Sequence, residues 1–394
     1  MTPLQVPSPT VIPEGASAVD VLPRAEPETQ QLLPADTTIW AIVLAGGIGS
    51  RFWPLSSPER PKQLLRLVGD RPLIAETVGL LDPLIPAERV LVVTSADIAP
   101  AIRAAIPSVP QQNMLVEPKP LGTAAAIAWA AHEVARRAGP DTVTCALHAD
   151  VAVSFPDAFR HTLRFAGGIA SRDGLVVAIG APASRAETGF GYMEPGAAMT
   201  IDHPFASGGP AFVKRFVEKP TADVARQIID RGGVWHTGVS VWRARVLSDL
   251  LRQLTPEVER AFEHLEGGDR ERFSSTVQSI SIERGLFERH DRMIVVPSDF
   301  GWDDVGTWAS LKRARELDDE GNGGHGDVHF VDSSGNVVHT EGASVVLYGV
   351  DNLLVVTLDG ITFVTTLERA ADLRPLLDAL PAEVRARAVG GTER

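Results

Sequence analysis

The fold of this chain is decided by the stretch Trp40-Ala41-Ile42-Val43-Leu44-Ala45-Gly46-Gly47-Ile48-Gly49-Ser50-Arg51. Its apolar half predicts a buried strand, and its three glycines allow a tight turn whose backbone N–H groups converge on an anion. Arg51 adds a bidentate donor, and Lys62 in Arg60-Pro61-Lys62-Gln63 adds a mobile positive charge. The stretch therefore predicts a strand that leads into a phosphate-binding loop. Its candidate phosphate contacts are Leu44, Ala45, Gly46, Gly47, Gly49 and Ser50.

Two common glycine-rich loops do not match this stretch. Read from Gly47, the string is Gly-x-Gly-x-x-Phe, so the third glycine of the dinucleotide fingerprint is missing at Phe52. No Gly-Lys-Ser/Thr follows, which excludes a P-loop. A glycine-rich turn with solvated basic residues nearby is the alternative that the loop alone leaves open.

The composition is that of an ordinary globular protein with an acidic balance. The chain has 394 residues, of which 44% are hydrophobic and 22% are charged, and its formal net charge is -13. This length accommodates two domains, or one large α/β domain with an appendage. An acidic balance argues against nucleic acids and membrane surfaces as partners, because both require a basic face. We therefore expect a small ligand, bound where cations are concentrated.

The cysteine content and the N-terminal segment indicate a reducing environment. Cys145 is the only cysteine, so an intrachain disulfide is excluded, and it lies in an apolar run typical of a buried structural thiol. Residues 1–36 are rich in proline and lack the basic start and apolar core of a signal peptide, which predicts a disordered tail. No apolar run approaches the roughly 18 residues of a membrane helix. These features predict a cytoplasmic protein.

Between residues 37 and 322, short runs rich in valine and isoleucine alternate with helical patterns. This β-α-β-α order predicts an α/β domain on a mostly parallel sheet with right-handed crossovers. Ligands bind such sheets beyond the carboxyl ends of the strands, so functional residues should follow strands. The predicted strands are 40–44, 90–93, 143–147, 175–179, 212–217 and 237–242, and the predicted helices are 73–81, 123–138, 221–230, 244–254 and 256–265.

A small β domain is predicted over residues 323–394. The glycine-rich stretch 320–326 marks a linker, and short β runs separated by turn signals follow it. A final helix over 367–380 is expected to pack back across these strands. The apolar runs need a partner, which we expect to be the α/β domain or a second subunit, so a homodimer is one expected outcome. The predicted β runs are 328–331, 336–339, 344–347, 353–358 and 361–365.

Two aspartates from distant segments are candidate metal ligands. Asp150 follows the strand predicted over 143–147, and Asp304 precedes Val305 and Gly306. We expect each carboxylate to lie in a loop beside apolar sequence, where an unpaired charge is costly. Mg²⁺ takes oxygen ligands and is often held by one or two carboxylates together with substrate phosphates, which suits this pair. Turn or helix-cap aspartates are the alternative, and Asp304 is placed to cap a helix that begins near Gly306.

Two further motifs suit a phosphorylated sugar. Phe216-Val217-Glu218-Lys219-Pro220 places opposite charges at the end of a predicted strand. There they point to opposite faces, so that one can bind hydroxyls and the other a phosphate, with a surface ion pair as the alternative. Thr188-Gly189-Phe190-Gly191-Tyr192 allows close approach to a sugar ring, or is a plain turn. The candidate sugar-phosphate contacts are Glu218, Lys219, Gly191 and Tyr192.

Taken in order, these motifs resemble the mannose-1-phosphate guanylyltransferases, also called GDP-mannose pyrophosphorylases, of the sugar nucleotidyltransferase family. The resemblance covers about residues 38–380 and implies a Rossmann-like nucleotidyltransferase fold of the glycosyltransferase-A type. Several motifs in the right order are far more specific than any one of them. They are Leu44-Ala45-Gly46-Gly47-x-Gly49-Ser50-Arg51-x-Trp53-Pro54-Leu55, Pro61-Lys62-Gln63, Glu117-Pro118, Gly122-Thr123-Ala124, Ala149-Asp150, Thr188-Gly189-Phe190-Gly191-Tyr192, Phe216-Val217-Glu218-Lys219-Pro220 and Trp302-x-Asp304-Val305-Gly306-x-Trp308.

The resemblance implies that the phosphate of a sugar 1-phosphate attacks the α-phosphorus of a nucleoside triphosphate and expels pyrophosphate, without a covalent enzyme intermediate. The implied substrates are GTP and mannose 1-phosphate, and the implied cofactor is Mg²⁺ on Asp150 and Asp304. Arg51 and Lys62 would stabilise the pyrophosphate, since catalysis rests on positioning and charge neutralisation. Further nucleotide contacts implied by the resemblance are Glu117, Gly122 and Thr123, and further sugar-phosphate contacts are His236, Thr237 and Gly238.

The chain departs from the family pattern at three places. His148-Ala149-Asp150-Val151 stands for Pro-Ala-Asp-His, His236-Thr237-Gly238 stands for Asn-Ser-Gly, and Glu283 stands for an aspartate. Mannose is favoured, and a related sugar such as a manno-heptose stays open.

Other readings of the same motifs concern the base and the activity itself. One is a pyrophosphorylase for another base or sugar, such as a glucose 1-phosphate thymidylyl- or uridylyltransferase. Glu117 favours guanine, because a carboxylate can accept from both N1–H and the 2-amino group, whereas uracil and thymine offer one N–H donor. Another is a regulatory homologue that binds the product without turning it over. Retention of Arg51, Lys62, Asp150 and Asp304 together argues against that homologue.

Overall fold

In the computed structural model, the described residues are 38–47, 50–57, 60–199, 209–358 and 360–387. The predicted tail over 1–36, residues 388–394 and Gly49 of the predicted loop lie outside these ranges. The strands are β1 (Ile39–Ala45), β2 (Val90–Ser95), β3 (Met114–Glu117), β4 (Val143–His148), β5 (Val151–Val153), β6 (Val176–Pro182), β7 (Gly191–Ala198), β8 (Ala211–Glu218), β9 (Val234–Arg243), β10 (Met293–Pro297), β11 (Trp302–Asp304), β12 (Gly323–His325), β13 (Val328–Val331), β14 (Val337–Thr340), β15 (Val345–Tyr348), β16 (Leu353–Leu358) and β17 (Ile361–Thr366).

The helices alternate with the first strands and become shorter toward the C-terminus. They are α1 (Leu73–Leu81), α2 (Ala99–Ala105), α3 (Thr123–Ala138), α4 (Pro156–Asp173), α5 (Ala222–Asp230), α6 (Ala244–Leu254), α7 (Pro256–Glu259), α8 (Phe262–Glu266), α9 (Arg270–Thr276), α10 (Trp308–Ala314), α11 (Arg374–Ala379) and α12 (Ala382–Arg387). Across the described ranges, no helix combines the length and the apolarity that crossing a bilayer requires.

A nine-stranded sheet forms the centre of the α/β region, in the order β3-β2-β1-β4-β9-β6-β10-β8-β7. The strands β3, β2, β1 and β4 are parallel neighbours, and β6 is parallel to β10, as the alternation of strand and helix predicts. In contrast, β9 runs antiparallel to both β4 and β6, and β7 pairs antiparallel with β8. The predicted α/β class is confirmed, and the second half of the sheet is mixed.

Alternate side chains of β1 enter two separate cores. Ile42 and Leu44 belong to the core that contains α3 and α6, whereas Ala41 and Val43 belong to the core that contains α1 and α4. Successive residues of a strand point to opposite faces, so a strand covered on both sides is apolar throughout. Polar chemistry at β1 is therefore confined to its carboxyl end, where the glycine-rich loop begins.

Three of the predicted helices have the predicted bounds, and another is divided. Leu73–Leu81 forms α1. Thr123–Ala138 forms α3 and Ala244–Leu254 forms α6. The helix predicted over 256–265 is wrong as a continuous element, because it is split into α7 and α8. Phe262 and Leu265 are nevertheless buried, as the helical spacing of the apolar residues predicts.

Stacked parallel strands build the C-terminal region. The strands β12, β14 and β16 form one parallel row, β13 and β15 form another, and β17 closes the first row in antiparallel orientation. The linker predicted over 320–326 is wrong in part, because it contains β12, whose Gly323 pairs with Val337. Oδ1 of Asn322 accepts hydrogen bonds from the backbone N–H and the side-chain amide of Asn336, at 2.9 and 3.0 Å. These bonds connect the turn before β12 to the turn before β14 in the stack of strands.

The final helix predicted over 367–380 is also wrong as a continuous element. A 3-10 turn spans Arg369–Ala371, and α11 begins separately at Arg374. Pro375 lies in the first turn of α11, where its missing N–H is tolerated, whereas in the interior of a longer helix it would remove a hydrogen bond. The proline therefore sets the start of α11.

One apolar cluster joins the C-terminal strands to the α/β region. Leu354 and Val356 of β16 and Phe363 of β17 pack in the same core as Phe52 and Trp308. The expectation that the α/β region covers part of the C-terminal apolar surface is confirmed. The cluster includes Phe52, which directly follows Arg51. It therefore extends to the segment after β1.

We predict that Leu354→Ala lowers the free energy of unfolding by about 2–5 kcal/mol, because it leaves a cavity in this shared core. Leu354 is fully buried, whereas Val364 on β17 is 56% exposed, so Val364→Ala should change the free energy by less than about 0.5 kcal/mol. Urea unfolding of the two variants measures the difference. Equal stability of both variants would show that the cluster does not hold the two regions together.

Candidate active site

A cavity of about 310 Å³ opens at the carboxyl end of β4, beside the start of β9. The position agrees with the rule that ligands bind beyond the carboxyl ends of parallel strands. The predicted residues that line it are Arg51, Thr123, Asp150, Gly191, Glu218, Lys219, His236, Thr237, Gly238 and Asp304. Residues from seven separate stretches of sequence therefore converge on one volume.

The glycine-rich loop is held in place by Gln63, a residue that the sequence analysis did not select. Its Nε2 donates to the carbonyl oxygens of Ala45 and Gly47, both at 3.2 Å. Gly47 has φ +95°, a conformation that favours glycine. Gly46 and Gly47 are exposed at the carboxyl end of β1, as a phosphate-binding loop requires. In the sequence, the one indication of this role for Gln63 is that it directly follows Lys62.

Lys62 lies between the two candidate metal ligands. Its Nζ is 2.6 Å from Oδ2 of Asp150 and 3.9 Å from Oδ1 of Asp304. The Lys62 side chain is 9% exposed, and the two carboxylates are 31% and 34% exposed. One positive charge therefore compensates two carboxylates at the edge of the cavity.

The two carboxyl groups have their pKa values shifted in opposite directions. Burial acts to raise the pKa of Asp150, but the charges of Lys62 and His148 outweigh it, and that pKa lies below the ordinary value. Burial raises the pKa of Asp304, and the charge of Lys62 only partly opposes the shift. The pair is thus short of positive charge, which an added cation or the cationic side chain of Arg51 can supply.

Asp304 lies on a strand and not in a loop, which corrects the sequence analysis. It is the last residue of β11, which pairs antiparallel with β5, so that Asp304 is opposite Val151. The helix α10 begins at Trp308 and is capped by Thr307, whose side chain accepts from the N–H of Ser310. The alternative in which Asp304 caps this helix is therefore wrong, and its carboxylate is free to face Lys62.

Glu218 and Lys219 form the ion pair that the sequence analysis kept as an alternative. Nζ of Lys219 lies 2.7 Å from Oε1 of Glu218, and Lys219 has φ +52° just after β8 ends. The expectation that the two side chains point to opposite faces is wrong, because Lys219 no longer has strand geometry. The Lys219 side chain is 56% exposed and lines the cavity, so it remains accessible to a phosphate.

Tyr192 does not face the cavity. Its ring is fully buried, and its hydroxyl binds the backbone N–H and carbonyl of Glu187, at 2.8 and 2.9 Å. The prediction that its side chain contacts the sugar is therefore wrong. Phe190 and Trp302 line the cavity instead, with their ring centroids 5.3 Å apart. This aromatic wall is suited to an apolar sugar face.

His236 is a neutral group on the cavity wall. Burial lowers its pKa to about 4, and its Nε2 is 3.1 Å from Oγ of Ser240. Thr237 donates its hydroxyl to the carbonyl of Ile179 at 2.9 Å. His236 therefore acts as a polar neighbour and not as a phosphate-binding cation, and the Thr237 hydroxyl is engaged in the sheet.

Two further departures from the family pattern also line this cavity, although neither was selected as a site residue. They are His148 at the end of β4 and Glu283 in a π-helical turn. All three departures therefore meet at one wall of the cavity.

Glu117 ends β3, two strands away from β1 in the sheet. Its Oε1 is buried, and among the described residues it has no hydrogen-bond partner. Burial raises the pKa of Glu117 to about 7, against the opposing hydrogen bond from the backbone of Leu121. A buried carboxylate oxygen without a partner is costly, which suggests that a ligand donor completes this position.

Gly122 and Thr123 hold the start of α3 against the segment that contains Ile280. Gly122 has φ +84°, and a Cβ there would lie 2.5 Å from the carbonyl oxygen of Ile280. Oγ1 of Thr123 accepts a hydrogen bond from the N–H of Ile282 at 2.8 Å. Only glycine fits the first position. Thr123, the next residue, lines the cavity.

Comparison with known families agrees with this arrangement. The nucleotidyl transferase family matches residues 40–321. The chain is 31% identical over 360 residues to the mannose-1-phosphate guanylyltransferase of Salmonella muenchen, covering 87% of this chain and 74% of that protein. It is also 31% identical over 363 residues to the alginate biosynthesis protein AlgA of Pseudomonas aeruginosa, covering 87% and 72%.

Among solved structures, the chain is similar to one described as mannose-1-phosphate geranyltransferase from Thermus thermophilus. The TM-score is 0.79 at 30% sequence identity, covering 87% of this chain and 99% of that chain. The covered share of 87% is larger than the share of the chain that the α/β region occupies, so the similarity includes residues outside that region.

We predict that Lys62→Met lowers the free energy of unfolding at pH 7.5 by about 1–3 kcal/mol, because two partly buried carboxylates lose their shared partner. Added Mg²⁺ should raise the melting temperature of this variant more than that of the wild type, since the cation replaces the lost charge. Thermal melting with and without Mg²⁺ measures both effects.

The matched control is Lys119→Met, which changes an exposed lysine. Its stability should stay within about 0.5 kcal/mol of the wild type. A Lys62→Met variant as stable as this control, with no response to Mg²⁺, would contradict a shared role for Asp150 and Asp304.

Proposed function

The chain belongs to the nucleotidyl transferase family, and within it to the mannose-1-phosphate guanylyltransferases, and from this we propose that it transfers GMP from GTP to α-D-mannose 1-phosphate and releases pyrophosphate. The observation that supports the reaction best is the cluster of Lys62, Asp150 and Asp304 beside the glycine-rich loop. A protein that only binds the product would not need this charge arrangement.

In the proposed reaction, an oxygen of the sugar phosphate forms a bond to the α-phosphorus of GTP. The bond from that phosphorus to the bridging oxygen breaks in line, and its electron pair leaves with pyrophosphate. Arg51 and Lys62 stabilise the charge on the departing pyrophosphate, and Lys219 orients the sugar phosphate. Positioning and charge neutralisation carry the reaction, so no side-chain nucleophile is required.

The donors at this site fit Mg²⁺. Asp150 and Asp304 offer hard oxygen ligands, and within the described ranges no group of three or more His, Cys, Asp or Glu side chains forms a complete metal cage. Mg²⁺ is commonly held by one or two carboxylates together with substrate phosphates, which matches two aspartates. Bound there, it would supply positive charge to the reacting phosphates.

We propose that Glu117 recognises guanine. When ionised, it can accept hydrogen bonds from N1–H and the 2-amino group, whereas uracil offers one N–H donor. Its unpartnered Oε1 at the carboxyl end of β3 supports this role. Uracil or thymine would supply a donor to only one of the two carboxylate oxygens, whereas guanine supplies a donor to both.

The sugar is proposed as mannose, with a manno-heptose as the second candidate. His148, His236 and Glu283 are the positions where the chain departs from the family pattern, and all three line the cavity. Changes at this wall act on the sugar, since the phosphate and base are assigned to other residues. The second candidate is therefore included in the test.

We also propose a cytoplasmic location and a homodimer. Cys145 is fully buried, and burial raises its thiol pKa to about 12, so it behaves as a structural residue compatible with a reducing compartment.

The homodimer is proposed from the C-terminal strands. Val346 and Tyr348 are 64% and 72% exposed there, where a second subunit could cover them. Sedimentation measures the oligomeric state. Neither nucleic acid nor membrane is proposed as a partner, because the net charge is -13.

The function is tested by incubating the protein with Mg²⁺, each of the common nucleoside triphosphates, and mannose, glucose or manno-heptose 1-phosphate. Pyrophosphate release is expected with GTP and mannose 1-phosphate and not with GTP alone. Preference for another pair would replace the proposed substrates. Absence of release with every pair would favour the regulatory homologue.

We predict that Asp150→Asn and Asp304→Asn each lower turnover by about 10²-fold or more, because the carboxamide keeps the shape and loses the charge that binds a cation. Extra Mg²⁺ should restore only part of the loss. Asp223→Asn is the control, since Asp223 is 80% exposed and pairs with Arg226 on the surface. A variant at either site with near-normal turnover at limiting Mg²⁺ would remove that residue from the proposed metal site.

We predict that the KM for GTP rises as the pH falls below about 7, because Glu117 becomes protonated and loses one acceptor. In Glu117→Gln this pH dependence should disappear, and the preference for GTP over UTP should shrink by roughly 5- to 150-fold, the cost of an unpaired buried donor. Kinetics with both nucleotides between pH 6 and pH 8 measure the effect. Unchanged nucleotide ratios would assign guanine recognition to the loop backbone.

A further inference from the structure

Contacts with the C-terminal strands support the segment that follows β1 and carries Arg51 and Lys62. Arg60 is hydrogen-bonded to Ser57, since the N–H of Ser57 donates to the carbonyl of Arg60 at 3.0 Å. The Arg60 guanidinium then donates to both carboxylate oxygens of Glu341, at 3.1 and 2.7 Å. Glu341 directly follows β14, so this bidentate pair joins the C-terminal region to a point two residues before Lys62.

A second set of polar contacts reaches the same segment from its other end. Arg315 donates to the carbonyl of Leu67 at 3.0 Å, and its Nη2 is 3.0 Å from Nδ1 of His339. Arginine only donates, so Nδ1 of His339 accepts and Nε2 carries the proton. That Nε2 faces Oε1 of Glu341 at 3.4 Å. The network therefore contacts the chain on both sides of Lys62.

Aromatic contacts add a third support next to Arg51. Phe52 and Trp308 meet edge to face with ring centroids 5.3 Å apart, and Trp53 and Phe363 meet in the same way at 5.4 Å. Phe363 lies on β17 and is 9% exposed. The residue that follows Arg51 thus packs in the core that the C-terminal strands complete.

We propose that the C-terminal β region positions Arg51 and Lys62 for the phosphates of the nucleotide, with Glu341 and Phe363 as positioning residues. The proposal rests on the proposed function, because it assumes that these two cations bind the leaving pyrophosphate. Arg51 lies in a short 3-10 turn over Ser50–Phe52, and Lys62 begins another over Lys62–Leu64, so both cations lie after β1 and outside the parallel sheet. Fixing such groups before the substrate arrives improves binding and turnover, since small displacements of reacting groups are costly.

The test compares Glu341→Gln and Phe363→Leu with two controls on the same C-terminal region. Glu341→Gln keeps the shape and removes the charge that holds Arg60. Asp372→Asn breaks an exposed bidentate pair with Arg374 that does not contact the segment, and Val364→Ala changes the exposed neighbour of Phe363. Calorimetry measures the binding of pyrophosphate and, separately, of mannose 1-phosphate, and thermal melting measures stability.

We expect Glu341→Gln to bind pyrophosphate about 3- to 5-fold more weakly, the upper range for an ion pair that is about 40% exposed on each side. Phe363→Leu should weaken pyrophosphate binding in the same direction. Their affinity for mannose 1-phosphate should stay within about twofold of the wild type, because Glu218 and Lys219 lie on another part of the sheet. The controls should leave both affinities unchanged. Arg60→Gln should weaken pyrophosphate binding like Glu341→Gln, and the double variant should lose no more than either single one.

Wild-type affinity for pyrophosphate in both positioning variants would overturn the proposal. Equal weakening of both ligands together with a lower melting temperature would also overturn it, because that pattern reflects general stability. Failure of the proposed function is recognised separately. In that case the wild type itself releases no pyrophosphate with any pair of substrates, while the binding measurements still decide whether the segment is positioned.

Discussion

The shared charge of Lys62 is the interaction on which the rest of this site depends. It compensates Asp150 and Asp304, which arrive from β4 and β11 and would repel each other without it. Because Asp304 keeps a raised pKa even so, the cluster still lacks positive charge. A site built in this way favours a cation or a phosphate held by cations over a neutral ligand, which is the logic of the proposed transferase.

The main sheet can present this cluster only at its edge. Both faces of β1 are covered by helices, so every side chain of the strand is committed to a core, and polar groups are displaced to the loop that follows. The hydrogen-bond ladder of a sheet gives a strand its rigidity, and a loop beyond the end of the strand lacks that ladder. Gln63 restores part of that rigidity from within, and the C-terminal strands supply the rest through Glu341 and Phe363.

Several features were predictable from sequence because they depend on neighbours in the chain. The helix Thr123–Ala138 follows from its alanine-rich composition and from the glycine that ends it, and β1 follows from an uninterrupted apolar run before glycines. The candidate residues also came from short motifs in a fixed order. Local patterns report local backbone geometry well, so the strand, the loop and the α/β class were predictable from the order of residues alone.

The sequence by itself thus determined β1, the helices Thr123–Ala138 and Ala244–Leu254, the candidate residues of the loop and the family. Only the tertiary structure decided that β9 runs antiparallel inside the sheet, that Tyr192 is buried away from the cavity, and that Asp304 lies on a strand. It alone brought Glu341 to Arg60 across 281 residues of chain. These outcomes depend on pairing between residues that are distant in sequence, and neither periodicity nor local propensity carries information about such partners.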